Sequence, residues 1–204
     1  MRGRFITLEG GEGAGKSTQA LLLEQALAAQ GKRVLRTREP GGAPGSEALR
    51  GLLLSGGFDW SPLAETMLHV AARAEHVAKT IRPALGAGVW VVCDRFSDST
   101  LAYQGYGQGF DQAAIATLAG LIDLVPDLTL VLTVSPAIAA ARMAERGIAA
   151  DRYENLPPDF HARVAAGFAE IAAANPARCA VIAADGARAE IHRAIMTALA
   201  ARLK

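Results

Sequence analysis

The chain has only two cysteines in 204 residues, Cys93 and Cys179, far apart and without metal-ligand spacing. That excludes a disulfide-stapled scaffold and a zinc site. Charge of one sign is also lacking, since 21 Lys and Arg stand against 20 Asp and Glu for a formal net charge of +1. A nucleic-acid binder would carry a strong positive excess or a basic stripe, and neither is present, so any bound anion must be held by a few placed groups. Long apolar runs are missing as well. No stretch approaches the roughly eighteen residues of a membrane span, and the short run before the first glycines cannot serve as a signal segment. The expectation is a cytoplasmic protein with no membrane and no nucleic-acid partner. There is no internal repeat and no low-complexity tract.

What is present is a globular composition, 51% hydrophobic and 20% charged, of a length that suits a single domain spanning residues 1–204. Phe5 to Leu8 reads as a strand that breaks at Glu9-Gly10-Gly11, and an amphipathic helical run from Ser17 stops at Gly31. Short apolar strands recur at Val34 to Thr37, Val89 to Cys93, Leu128 to Val134 and Ala180 to Ala183, with helical patterns between them. The alternation predicts an α/β fold with a five-stranded, mostly parallel sheet flanked by helices on both faces. Gly147 to Leu156 reads as a loop.

The segment Gly10-Gly11-Glu12-Gly13-Ala14-Gly15-Lys16-Ser17, followed by Thr18, fits the phosphate-binding pattern G-x-x-x-x-G-K-[ST] between a strand and a helix. Its glycines let backbone N–H groups turn toward a phosphate at a helix N-terminus. Lys16 reaches the β- and γ-phosphates, and the Ser17 hydroxyl is a ligand for Mg²⁺. A merely structural glycine turn would not need Lys-Ser at this spacing. A dinucleotide-binding fingerprint is excluded because Lys16 stands where its last Gly or Ala belongs. A GTPase switch would need Asn-Lys-x-Asp, and the chain contains no Asn-Lys.

Further groups gather where a parallel sheet presents the C-terminal ends of its strands. Arg38-Glu39-Pro40-Gly41-Gly42 follows the second strand and Asp94-Arg95-Phe96 the third. His69, Arg73 and His76 share one helix face, as a solvated stripe or as part of a site, while Met67, Val70, Ala74, Val77 and Ile81 form the opposite, core-facing stripe. Asp94 suits the Mg²⁺ shell, and Arg95 offers a planar fork for a second phosphate group; a structural ion pair is the alternative. Two anion-binding ends suggest a donor and an acceptor phosphate brought together.

On Thr37-Arg38-Glu39-Pro40-Gly41-Gly42, Ala71-Ala72-Arg73 and Val92 to Gln104, the chain resembles the bacterial thymidylate kinases, P-loop nucleoside monophosphate kinases, from about Phe5 to the C-terminal helix. The resemblance implies transfer of a phosphoryl group from MgATP to dTMP, a homodimer, and a short lid at about 142–154. It implies that Arg95 and Arg38 hold the dTMP phosphate, with Glu39, Pro40 and Phe96 beside them. Arg73 reaches the pyrimidine edge, Thr100 and Gln104 line the thymine pocket, Glu12 accepts the 3′-OH, and Tyr103 underlies the sugar. Lys16, Arg95 and a lid arginine, Arg146 or Arg152, are then the catalytic groups. Where the family usually carries a stacking Phe this chain has His69, whose protonation near pH 6 is expected to alter acceptor affinity. The alternatives are another nucleoside monophosphate or deoxynucleoside kinase, or a P-loop ATPase driven by a protein partner.

Overall fold

The computed structural model describes residues 2–145 and 152–203. Five strands, β1 (Phe5–Glu9), β2 (Val34–Arg38), β3 (Trp90–Asp94), β4 (Leu128–Thr133) and β5 (Cys179–Ala183), form one sheet in the order β2-β3-β1-β4-β5. Every pairing is parallel, so the sheet is more uniform than the mixed one the pattern allowed. The three central strands are nearly continuous apolar runs because helices cover both of their faces, whereas β2 at the edge keeps a half-buried pattern.

On one face, Ile6, Leu8, Val92 and Leu130 meet Leu23 and Leu27 of α1 (Lys16–Ala29) and Ile191 and Ile195 of the C-terminal helix Arg188–Arg202. On the other, Phe5, Val91 and Cys93 meet Val70, Val77 and Ile81 of a long helical segment. This segment runs as a helix over Pro62–His76, a π-helical turn over Val77–Ile81 and a further helical turn over Arg82–Gly86. Val131 meets Phe160, Phe168 and Ile171 of the helix Pro158–Ala174. Each fully buried Leu or Ile in these layers contributes roughly 1.5–3 kcal/mol of transfer free energy.

The helix Pro62–His76 begins where Ser61 accepts from the Ala64 N–H and Pro62 occupies the first turn. Its faces differ from the expected division. Val70, Val77 and Ile81 do reach the core, but Met67 is 53% exposed and Ala74 is exposed as well. Arg73 and His76 are buried instead, because the Glu39 carboxylate receives both of them and removes the cost of taking them out of water. The helix starting at Ser97 likewise continues as a π-helical stretch, Leu101–Gly107, through Gly105 and Gly107. Tyr103 and Gln104 of this stretch are buried on its inner side.

A polar thread crosses the sheet beneath this turn. Arg178, just before β5, donates to both carboxylate oxygens of Asp98, at 2.6 and 2.9 Å, and to Thr129 Oγ1 at 3.0 Å, which in turn pairs with Thr7 Oγ1 at 2.9 Å. It ties the helical turn Ser97–Thr100 to β4 and β1. Arg178→Met should therefore leave Asp98 buried without its cation and cost about 3 kcal/mol. A urea-unfolding midpoint matching that of the parent would show that the thread contributes nothing.

Candidate active site

The phosphate loop leaves β1 at the buried Glu9 and enters α1 at Gly15. Gly10 and Gly13 have φ of 137° and 70°, and a Cβ at either would meet the Leu132 or Ala139 carbonyl oxygen at 2.3 or 2.6 Å. Only glycine lets the loop lie this close to β4 and the helix Pro136–Glu145. The Lys16 ammonium donates to the Gly11 carbonyl at 2.7 Å. Burial and the nearby Arg95 lower its pKa to about 8, against the opposing pull of Glu12 and Asp94. Ser17 Oγ donates to Asp94 Oδ2 at 2.5 Å. A hydroxyl and a carboxylate side by side are hard oxygen donors, which fits a Mg²⁺ ion that keeps its remaining positions for water and phosphate. Among the described residues no group of three or more His, Cys, Asp or Glu could hold a metal by itself.

Arg95, directly after β3, has φ of 69°. Its Nη1 donates to the Gly10 carbonyl at 3.0 Å and to Ser99 Oγ at 3.2 Å, and its Nη2 to Glu12 Oε1 at 2.6 Å and Tyr103 Oη at 2.9 Å. The guanidinium lies 4.8 Å from the centre of the Tyr103 ring, and Tyr103 Oη donates to Glu12 Oε1 at 2.7 Å. Burial pushes the Glu12 carboxyl up, but Arg95 and Lys16 outweigh it and bring its pKa to about 2. Arg73 donates from Nε to Glu39 Oε2 at 2.7 Å and from Nη2 to the Phe96 carbonyl and Thr100 Oγ1, both at 3.0 Å.

One cavity of about 640 Å³ joins these groups. At one end its wall is Glu12, Gly13 and Gly15 to Thr18 with Asp94; at the other it is Arg38, Glu39, Pro40, His69, Arg73, Arg95, Phe96, Thr100, Tyr103 and Gln104. Gly10, Gly11 and Ala14 support the loop from behind, through two carbonyls and a fully buried methyl. Arg38 is half exposed and pairs with Glu47 at 3.1 Å. Arg152 is not part of the wall; it is paired with Glu65. Arg146 lies outside the described residues.

His69 departs from expectation. Its Nε2 is 2.8 Å from Tyr153 Oη, and burial together with Arg73 pushes its pKa down to about 3. Both causes favour the neutral ring and move its titration well below the pH 6 expected.

Three residues given no role by sequence reasoning, Glu65, Tyr153 and Glu9, belong to the site. Glu65, fully buried, accepts from Gln104, Gln108, Tyr153 and Arg152. Burial pushes its carboxyl up, yet the donors Arg152, Gln104 and Tyr153 prevail and hold it below its usual range. The spacing 65, 69, 73 and 76 on one helix face was the available signal. Tyr153 lies in the stretch read as a loop and, by resemblance, as the lid, with no role of its own assigned. Arg142, which the resemblance places at the start of the lid, lies beside the phosphate loop, donates to the Gly13 carbonyl at 3.4 Å and also lines the cavity. Glu9, behind the site, accepts from the Phe96 N–H at 2.8 Å and from Ser99 Oγ at 2.5 Å.

The family model for thymidylate kinase matches residues 8–195. The thymidylate kinase of Rhizorhabdus wittichii is 54% identical over 204 residues, covering 98% of each chain. That of Gluconobacter oxydans is 52% identical, covering 97% of this chain and 94% of the other. A crystal structure of thymidylate kinase from Ehrlichia chaffeensis superposes with a TM-score of 0.80 at 36% identity, covering 98% of this chain and all of that one.

Burial, with Asp98 nearby, raises the Glu9 pKa from 4.5 to about 8. Between those values the folded chain holds a proton that the unfolded chain has released, so this group makes stability fall as pH rises through the window. Unfolding midpoints measured across it should decline less steeply in Glu9→Gln than in the parent. Equal slopes would mean that Glu9 ionises alike in both states.

Proposed function

The chain belongs to the thymidylate kinase family, and from that premise we propose that it transfers the γ-phosphoryl group of ATP to dTMP, giving dTDP and ADP, a step toward dTTP. One observation supports this above the others. Within a single cavity, Lys16 and the Ser17–Asp94 pair stand at one end and the Arg95 and Arg73 guanidiniums at the other, with Glu12 reaching from the phosphate loop to Arg95. The other kinase readings and the partner-driven ATPase are not favoured by half-identity over nearly the full length.

Donor and acceptor phosphates repel each other, so the barrier falls through positioning and charge neutralisation. Lys16 and the helix N-terminus at Ser17 and Thr18 meet the β- and γ-phosphates. Arg95, with Arg38, takes the acceptor phosphate and gives up Glu12, whose carboxylate is then free to accept the 3′-OH. Tyr103 underlies the sugar, where a 2′-OH would be crowded. Arg73 and Thr100 reach the base edge, and Glu39, Pro40 and Phe96 frame them. An acceptor oxygen bonds to the γ-phosphorus as the β–γ bridging bond breaks. That oxygen is already ionised near neutral pH, so no side-chain base takes part. Ser17 and Asp94 are the groups that would hold Mg²⁺, which supplies charge neutralisation when bound. A lid arginine, Arg146 or Arg152, meets the transferring group and helps exclude water.

The same reading extends to a homodimer and to the cytoplasm. No helix among the described residues is long and apolar enough to cross a membrane.

ADP release measured with dTMP, dUMP, dCMP, thymidine or no acceptor tests the proposal. Turnover should require a pyrimidine deoxynucleoside monophosphate, be best with dTMP, and fall by orders of magnitude in a folded Lys16→Ala protein. Acceptor-independent turnover, or near-normal activity of Lys16→Ala, would contradict it.

A further inference from the structure

Gln104 lies at the wall of the cavity with no exposed surface, and its Oε1 has no hydrogen-bond partner among the described residues. Its Nε2 donates to Glu65 Oε1 at 2.8 Å. The same oxygen accepts from Gln108 Nε2 at 2.6 Å and Tyr153 Oη at 2.8 Å, while Oε2 takes the guanidinium of Arg152. A carboxylate is an acceptor only, so the amide atom turned toward it must be the NH₂. The carbonyl oxygen of Gln104, a residue that lines the cavity, is left over as an acceptor without a partner among the described residues.

From this arrangement we infer that Glu65 sets the choice of base, by holding the Gln104 amide in the one orientation that offers a carbonyl to the ligand. Thymine and uracil carry a donor at N3–H, and cytosine carries an acceptor lone pair at the same position. A fixed acceptor binds the first two and leaves two acceptors face to face with the third. The amide cannot flip to suit cytosine, because that would press its oxygen against the Glu65 carboxylate. Glu65 touches no substrate and is a positioning residue. Its own placement is over-determined: Arg152 neutralises it, and Tyr153, whose O–H donates to Glu65, accepts from His69 Nε2 and so locks that ring as well. The inference rests on the reading of this cavity as a nucleotide acceptor site.

Glu65→Gln keeps the shape and removes the constraint, since an amide at this position can present either end to Gln104. Calorimetric titration with dTMP, dUMP and dCMP reads the consequence without needing turnover. The parent should prefer dTMP and dUMP over dCMP. In the folded variant that preference should shrink by about tenfold or more, with the dTMP-to-dUMP ratio unchanged, since those two differ only in a methyl group. A merely structural role would weaken all three together. An unchanged dTMP-to-dCMP ratio in Glu65→Gln overturns the inference while leaving dTMP as the acceptor. A parent that binds none of the three overturns both. In the unaltered protein, the Gln104 side-chain amide protons should resist solvent exchange both empty and with dTMP bound. Rapid exchange would overturn the inference even if Glu65→Gln did not fold.

Discussion

Arg95 stands in a left-handed backbone conformation that costs a non-glycine residue about 1–2 kcal/mol. It is held there from every side. Its N–H donates to the Leu8 carbonyl of β1 at 2.9 Å, so the strand that feeds the phosphate loop also fixes the arginine. Its guanidinium then binds the loop through Gly10 and Glu12 and the following helix through Ser99 and Tyr103. On the proposed reading, donor end and acceptor end are thus two sides of one side chain. Moving either would cost the contacts of the other, and positioning of that kind is what phosphoryl transfer needs.

The other charges at this edge of the sheet follow the same economy. Glu39 serves Arg73 and His76, Glu65 serves Arg152, and Asp98 serves Arg178. Each is a carboxylate with its cation in a place water reaches poorly, where an unpaired partner would be expensive. Glu9 is the exception. It has hydrogen bonds but, among the described residues, no cation of its own within ion-pair distance, and burial raises its pKa to about 8. His69 is handled in the opposite way, remaining neutral among Arg73, Arg95 and Arg152. A protonated ring there would add one more positive charge beside these arginines.

The strands, the phosphate loop and the Asp94-Arg95 corner were legible because each depends on local rules: apolar runs of strand length, glycines before Lys-Ser, and polar residues at the end of a buried strand. The helix Pro62–His76 was half legible. Its period was right, but which stripe turns inward depends on Glu39, which lies 34 residues before Arg73 and on another element. Periodicity carries no information about such a partner. Glu65 escaped for the same reason, since its four donors come from two distant segments. The neutrality of His69 could not be read from the ordinary imidazole pKa, because burial decided it.

The central claim is that Arg95 is an acceptor-phosphate group borrowed by the phosphate loop while the site is empty. Calorimetric titration of dTMP and of ATP, each alone, into the parent and into a folded Arg95→Ala protein tests it most directly. A buried charge-assisted contact to phosphate is worth roughly 1.5–3 kcal/mol, so dTMP should weaken by about tenfold to a hundredfold while ATP changes little. Equal losses for the two nucleotides would mean that Arg95 only holds the loop to the sheet, and would contradict the account.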